Sequence, residues 1–114
     1  MARGDVLLVS LPTSEGREQS GRRPVVAVQT DVLGEPMLMV APITLNSNAL
    51  RFLFTVKIEP YDENGLSLPS IVMVFQMRAI DKTRIIKKLG KLSDDDLKKV
   101  DDEIWRMLKP SDKN

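Results

Sequence analysis

Histidine is absent from all 114 residues, and so is cysteine. Without imidazole there is no serine–histidine triad, no paired-histidine acid–base mechanism and no histidine-rich zinc site. Without thiols there is no disulfide framework, no thiolate nucleophile and no cysteine-bound metal, a composition compatible with a reducing cytoplasm. Long apolar stretches are missing too. The run at 6–11 is too short for a signal-peptide core and lacks its flanks, and no run approaches the ~20 residues of a membrane span. Internal repeats and low-complexity segments are also lacking. Any chemistry must therefore rest on carboxylates, arginine, lysine, hydroxyls or the backbone.

What remains describes one globular domain, expected over residues 1–110 with a frayed tail at 111–114. Apolar residues make up 42% and charged residues 29%, which separates the chain from disordered sequences. The net charge of +1 hides an uneven distribution. Residues 82–91 carry Lys82, Arg84, Lys87, Lys88 and Lys91 with no acid. Residues 93–103 carry Asp94, Asp95, Asp96, Asp101, Asp102 and Glu103 against two lysines. Local charge of this kind governs phosphate binding more than the total does.

Short apolar or alternating runs predict strands at 6–11, 24–30, 37–43, 53–58, 70–77 and 85–89, with Thr44 standing at the end of the third. Asn64-Gly65 marks a turn. The period then changes. Ser93 is an N-cap followed by three acids that suit the positive end of a helix. Leu97, Val100, Ile104 and Met107 or Leu108 recur on one face, Arg106 and Lys109 suit the C-terminus, and Pro110 stops it. Trp105 beside that stripe is expected to pack. Six short strands and one terminal helix predict a mostly β, barrel-like domain.

The stretch that carries chemistry is 18–31. A polar loop, 12–22, ends in Arg22-Arg23, and Pro24 then starts an extended, buried run. Arg23 is thus fixed where a loop meets a strand, a place suited to holding a cation towards an anion. Read alone, these residues also have plain structural meanings. Arg23 is a surface arginine, Thr44 a strand-end residue, the 82–91 run a solvated face, and the methionines 37, 39, 73 and 77 core or interface filler.

Five collinear motifs narrow the choice. They are Arg3-Gly4-Asp5-Val6, Glu18-Gln19-Ser20-Gly21-Arg22-Arg23-Pro24, Val40-Ala41-Pro42-Ile43-Thr44, the segment from Gln76-Met77-Arg78 through Ile85, and Leu92-Ser93. In this order and spacing the chain resembles the MazF/PemK toxins of bacterial toxin–antitoxin systems over residues 3–108. The resemblance implies an SH3-like β-barrel with a C-terminal helix, a symmetric homodimer in the bacterial cytoplasm, and a cognate antitoxin partner. It further implies cleavage of single-stranded RNA without a metal or other cofactor, and no membrane association. Carried over, Arg23 and Thr44 are the catalytic pair, and Glu18, Gln19 and Gln76 contact RNA. Two departures, Arg17 before Glu-Gln and Phe75 before Gln76, fall near the implied RNA groove, so the cleavage sequence does not transfer from a relative. Phe75 is either buried or stacks a base, an interaction worth about 1–3 kcal/mol. Two alternatives share the barrel: a CcdB-like topoisomerase poison and a non-catalytic RNA-binding domain.

Overall fold

The computed structural model describes residues 1–11 and 21–109. Seven strands run β1 (Asp5–Ser10), β2 (Arg22–Ala27), β3 (Met37–Thr44), β4 (Thr55–Ile58), β5 (Ser70–Met73), β6 (Arg78–Asp81) and β7 (Ile85–Lys91), followed by one helix, α1 (Asp94–Leu108). All ladders are antiparallel. The sheet order is β4-β5-β3-β2-β1-β7, with β6 also on β3. The expected tail at 111–114 lies outside the described residues.

The first three strands are buried on both faces, as their near-continuous apolar runs require. Val6, Val26, Ala41 and Ile43 point into one core, completed by β4, β5 and α1. Leu7, Val9, Val25, Ala27 and Val40 point the other way, into a second core closed by Leu38 and Ile80. The sheet is not hydrogen-bonded into a closed ring; it curls at β3, which serves three partners.

Two expected strands are cut short. The second starts at Arg22 and ends at Ala27, because Gln29 and the turn after it leave the ladder to β3. The fourth starts at Thr55, since Phe54 adopts φ 63°, a left-handed conformation incompatible with a strand. The expected strand at 70–77 is instead β5 followed by a 3-10 turn over Val74–Gln76, with β6 starting only after it at Arg78.

The terminal helix forms as its sequence dictates. Ser93 Oγ accepts the Asp96 N–H at 3.1 Å, Val100 is fully buried, and Leu97, Ile104 and Met107 pack on the first core. Trp105 does not pack; it is 66% exposed, alongside Leu108 at 65%. Arg3 clamps the helix to the sheet. Its guanidinium donates to both carboxylate oxygens of Asp101, at 3.0 and 2.6 Å, and to the Val28 carbonyl at 3.0 Å.

The turn after β2 is tied down by Asp31, which pairs with Lys82 and with the N-terminal ammonium. The hydrogen bond from Lys82 holds the Asp31 carboxyl below its ordinary value of 3.8. A lowered folded pKa means that stabilisation is in force above 3.8 and disappears as pH falls through the folded value. Asp31→Asn should therefore melt earlier than the parent near neutral pH, with the gap closing in strong acid. Thermal unfolding across a pH series measures this; a gap that persists or widens in acid contradicts it.

Candidate active site

β2 and β3 are hydrogen-bonded to each other only through Val25↔Pro42, Val26↔Ala41 and Ala27↔Val40. Pro24 and Pro42 stand at the end of this ladder and each lacks an N–H, so it cannot continue regularly. Beyond it β3 is paired only on its opposite edge, to β5 through Ile43↔Val72 and Thr44↔Ile71. The strands part there, and a cavity of about 450 Å³ opens between them. Residues 22–24 form one lip and residues 43–46 the other; residues 65–68 and Leu89 line it as well.

Arg23 and Thr44 thus line the same cavity, although 21 positions separate them in the chain. Arg23 is exposed and its side chain makes no hydrogen bond or ion pair among the described residues, leaving its planar fork of donors available. Thr44 is half-buried, and its Oγ1 accepts the Asn46 N–H at 3.1 Å. That bond occupies a lone pair and leaves the hydroxyl hydrogen to donate outward. Asn46 is itself fixed, since its side chain accepts the Asn48 N–H at 2.9 Å and caps the 3-10 turn Ser47–Arg51.

Among the described residues lining the cavity, the charged ones are Arg22 and Arg23, and there is no acid. The other lining side chains are mostly apolar, including Leu8, Pro24, Leu45, Leu66, Leu68 and Leu89. An arginine on an apolar, acid-free wall favours an anion that carries an apolar group. The basic run at 82–91 is partly neutralised. Lys82 lies on Asp31 and Lys88 on the buried Asp5, while Arg84, Lys87 and Lys91 are exposed with no ion pair among the described residues. No group of three or more acidic side chains that could hold a metal ion occurs among the described residues.

The remaining expected site residues fall elsewhere. Arg17, Glu18 and Gln19 lie outside the described residues. Phe75 is half-buried, with its ring 5.2 Å from that of Phe52, and Gln76 is exposed at the end of the 3-10 turn Val74–Gln76. Neither lines the cavity. Sequence reasoning missed Asn46 and the segment 65–68. Nothing in the pattern singles out Asn46, and Asn64-Gly65 reads only as a turn.

The profile described as "PemK-like, MazF-like toxin of type II toxin-antitoxin system" matches residues 2–108. The chain is 39% identical over 106 residues to the endoribonuclease MazF of Staphylococcus saprophyticus, a match covering 91% of this chain and 88% of that one. The fold is similar to a MazE–MazF complex structure from Deinococcus radiodurans, with TM-score 0.73, 21% identity and coverage of 97% of each chain. It is also similar to an endoribonuclease in complex with its cognate antitoxin from a mycobacterial species, with TM-score 0.73, 17% identity and coverage of 97% and 98%. A mostly β fold with this terminal helix, and an arginine-lined cavity at the parting of two strands, define a toxin-type barrel. The chain belongs to the PemK-like, MazF-like toxins of type II toxin–antitoxin systems, which favours that resemblance over the CcdB-like and purely RNA-binding alternatives.

Asn46→Ala removes the cap that orients the turn holding Thr44 and should cost about 1 kcal/mol. Asn46→Ser keeps an acceptor and should recover most of it. Urea unfolding of the two variants provides the comparison, and equal losses would remove the capping role.

Proposed function

We propose that this chain is a sequence-specific endoribonuclease toxin that cuts single-stranded RNA without a metal, works as a homodimer in the bacterial cytoplasm, and is neutralised by a cognate antitoxin. The observation that carries the reading is the placement of Arg23, unpaired among the described residues, and the Thr44 hydroxyl on one cavity whose described lining carries no acid. The 39% identity to an endoribonuclease MazF supports it.

In the reaction, a ribose 2′-oxygen attacks the adjacent phosphorus and the bond to the 5′-oxygen breaks. A 2′,3′-cyclic phosphate and a 5′-hydroxyl result, the 2′-hydroxyl proton passing to solvent or to Glu18 and the departing 5′-oxygen taking one from solvent. Negative charge grows on the non-bridging oxygens, and Arg23 meets it with a fork of charged donors that persists at any working pH. Thr44, its oxygen held by the Asn46 N–H, gives its proton's hydrogen bond to the phosphate or to the departing oxygen. Arginine and threonine are poor bases, and no imidazole exists in the chain. The acceleration then comes from positioning and electrostatics, assisted by Glu18 if the loop brings that carboxylate to the 2′-hydroxyl. Glu18 and Gln19 otherwise hold the RNA strand, as do Gln76, Arg17 and Phe75 further along it. The exposed Arg84, Lys87 and Lys91 add long-range attraction for the polyanion.

Removing a preorganised donor to a developing oxyanion costs about 2.7–4 kcal/mol. Arg23→Ala and Thr44→Val should each therefore slow cleavage of a defined single-stranded RNA by roughly 10²–10³-fold, while Thr44→Ser stays close to the parent. EDTA should leave the parent rate unchanged. Either variant cutting at the parent rate overturns the assignment, and binding without cleavage by the parent points to a non-catalytic RNA-binding domain.

A further inference from the structure

Three polar or charged side chains are buried among the described residues, and two of them, Asn64 and Ser70, serve one short stretch of chain. Asn64, fully buried, accepts the Leu66 N–H at 2.9 Å and donates Nδ2 to the Glu59 carbonyl at 3.0 Å. Ser70, 1% exposed, donates its hydroxyl to the Leu68 carbonyl at 2.9 Å. Gly65, at φ 71°, approaches β7 so closely that a Cβ would stand 2.1 Å from the Leu89 carbonyl oxygen. Upstream, the Tyr61 hydroxyl accepts the Ser93 N–H at 2.7 Å and donates to Asp96 at 2.9 Å, fixing the same segment to the start of α1. Residues 66–68 are thereby held from both ends as a rigid wall of the cavity that Arg23 and Thr44 also line.

The wall is apolar where it meets solvent. Leu68 is 54% exposed and Leu45, on the β3 lip, 62%. Ser67 between the two leucines is exposed and makes no side-chain hydrogen bond among the described residues. A cavity of about 450 Å³ falls within the roughly 300–1,000 Å³ of small-molecule sites. Its chemistry asks for an apolar group attached to an anion, and on the ribonuclease reading that group is a base. We propose that residues 66–68 form the subsite for the unstacked nucleobase next to the scissile phosphate, and that this wall sets the sequence at which the chain cuts. The leucines contact the base, and the Ser67 hydroxyl, both donor and acceptor, reads its edge. This rests on the ribonuclease reading, with Arg23 holding the phosphate while the wall selects its neighbour.

The test is a cut-site profile. Purified parent, Leu68→Ala, Ser67→Ala and, as a control outside the cavity, Leu33→Ala are incubated with a long RNA of mixed sequence, and the 5′-hydroxyl ends are sequenced. Leu68→Ala and Ser67→Ala should change the preference between bases at one position beside the cut by roughly ten- to a hundredfold, with Leu33→Ala matching the parent. An unchanged profile in both wall variants overturns the proposal, as does an equal loss of rate at every site. If the parent itself leaves the RNA intact, the ribonuclease reading fails separately. The wall is then judged by the RNAs that parent and Leu68→Ala retain from a random single-stranded pool, and identical base preferences overturn it.

Discussion

The site depends on one event in the sheet: β2 and β3 stop pairing with each other after three residue pairs. Two prolines, Pro24 and Pro42, stand where further ladder bonds would form, and β5 holds the end of β3 on its opposite edge. A continuous ladder would fill the space between the strands with backbone hydrogen bonds. The parting instead leaves a cavity whose two lips are rigid because each strand remains fixed elsewhere, β2 to β1 and β3 to β5. Arg23 belongs to a strand rather than to the loop before it, so its backbone is ordered before any ligand arrives. On the proposed reading that preorganisation matters more in a chain without histidine, since electrostatic stabilisation then supplies most of the rate.

Around this opening much of the described lining is held in place by hydrogen bonds, whereas the Arg23 side chain is unpaired among the described residues. Asn46 orients the threonine oxygen, buried Asn64 and Ser70 hold the opposite wall, and Arg3 ties the helix to the sheet through Asp101. Some cations elsewhere are matched to acids, as Lys82 is to Asp31 and Lys88 to Asp5, while Arg84, Lys87 and Lys91 face solvent. Arg23 stays without such a partner among the described residues. A nearby carboxylate would lower its attraction for phosphate, and the described lining contains none.

Sequence patterns revealed the parts whose physics is local. The Ser93 cap, the acidic first turn and the 97–100–104–107 stripe belong to a single helix, and periodicity reports them directly. The register between distant strands is not local, and there the reading at 70–77 failed. Val72 pairs Ile43 and Arg78 pairs Val40. Five residues, 73–77, intervene on one side and two, 41 and 42, on the other. The three extra residues coil into the Val74–Gln76 turn, and an apolar run gives no sign of that excess. This turn carries Phe75 against Phe52 and Gln76 to the surface, away from the cavity. The candidate pair Arg23 and Thr44 was legible only through motif resemblance, since nothing in either residue's neighbourhood announces that the two strands meet and then part. The wall at 66–68 was illegible because the burial of Asn64 depends on β7 packing against Gly65.

The central claim is that Arg23 and Thr44 act together on one phosphate at this parting. A double-mutant cycle on kcat/KM, with Arg23→Ala, Thr44→Val and the combined variant, tests it most directly. Groups that act as a unit are strongly non-additive, so the double variant should be little slower than the worse single one. Losses that multiply in full, or a single variant with parental kcat/KM, would contradict the account.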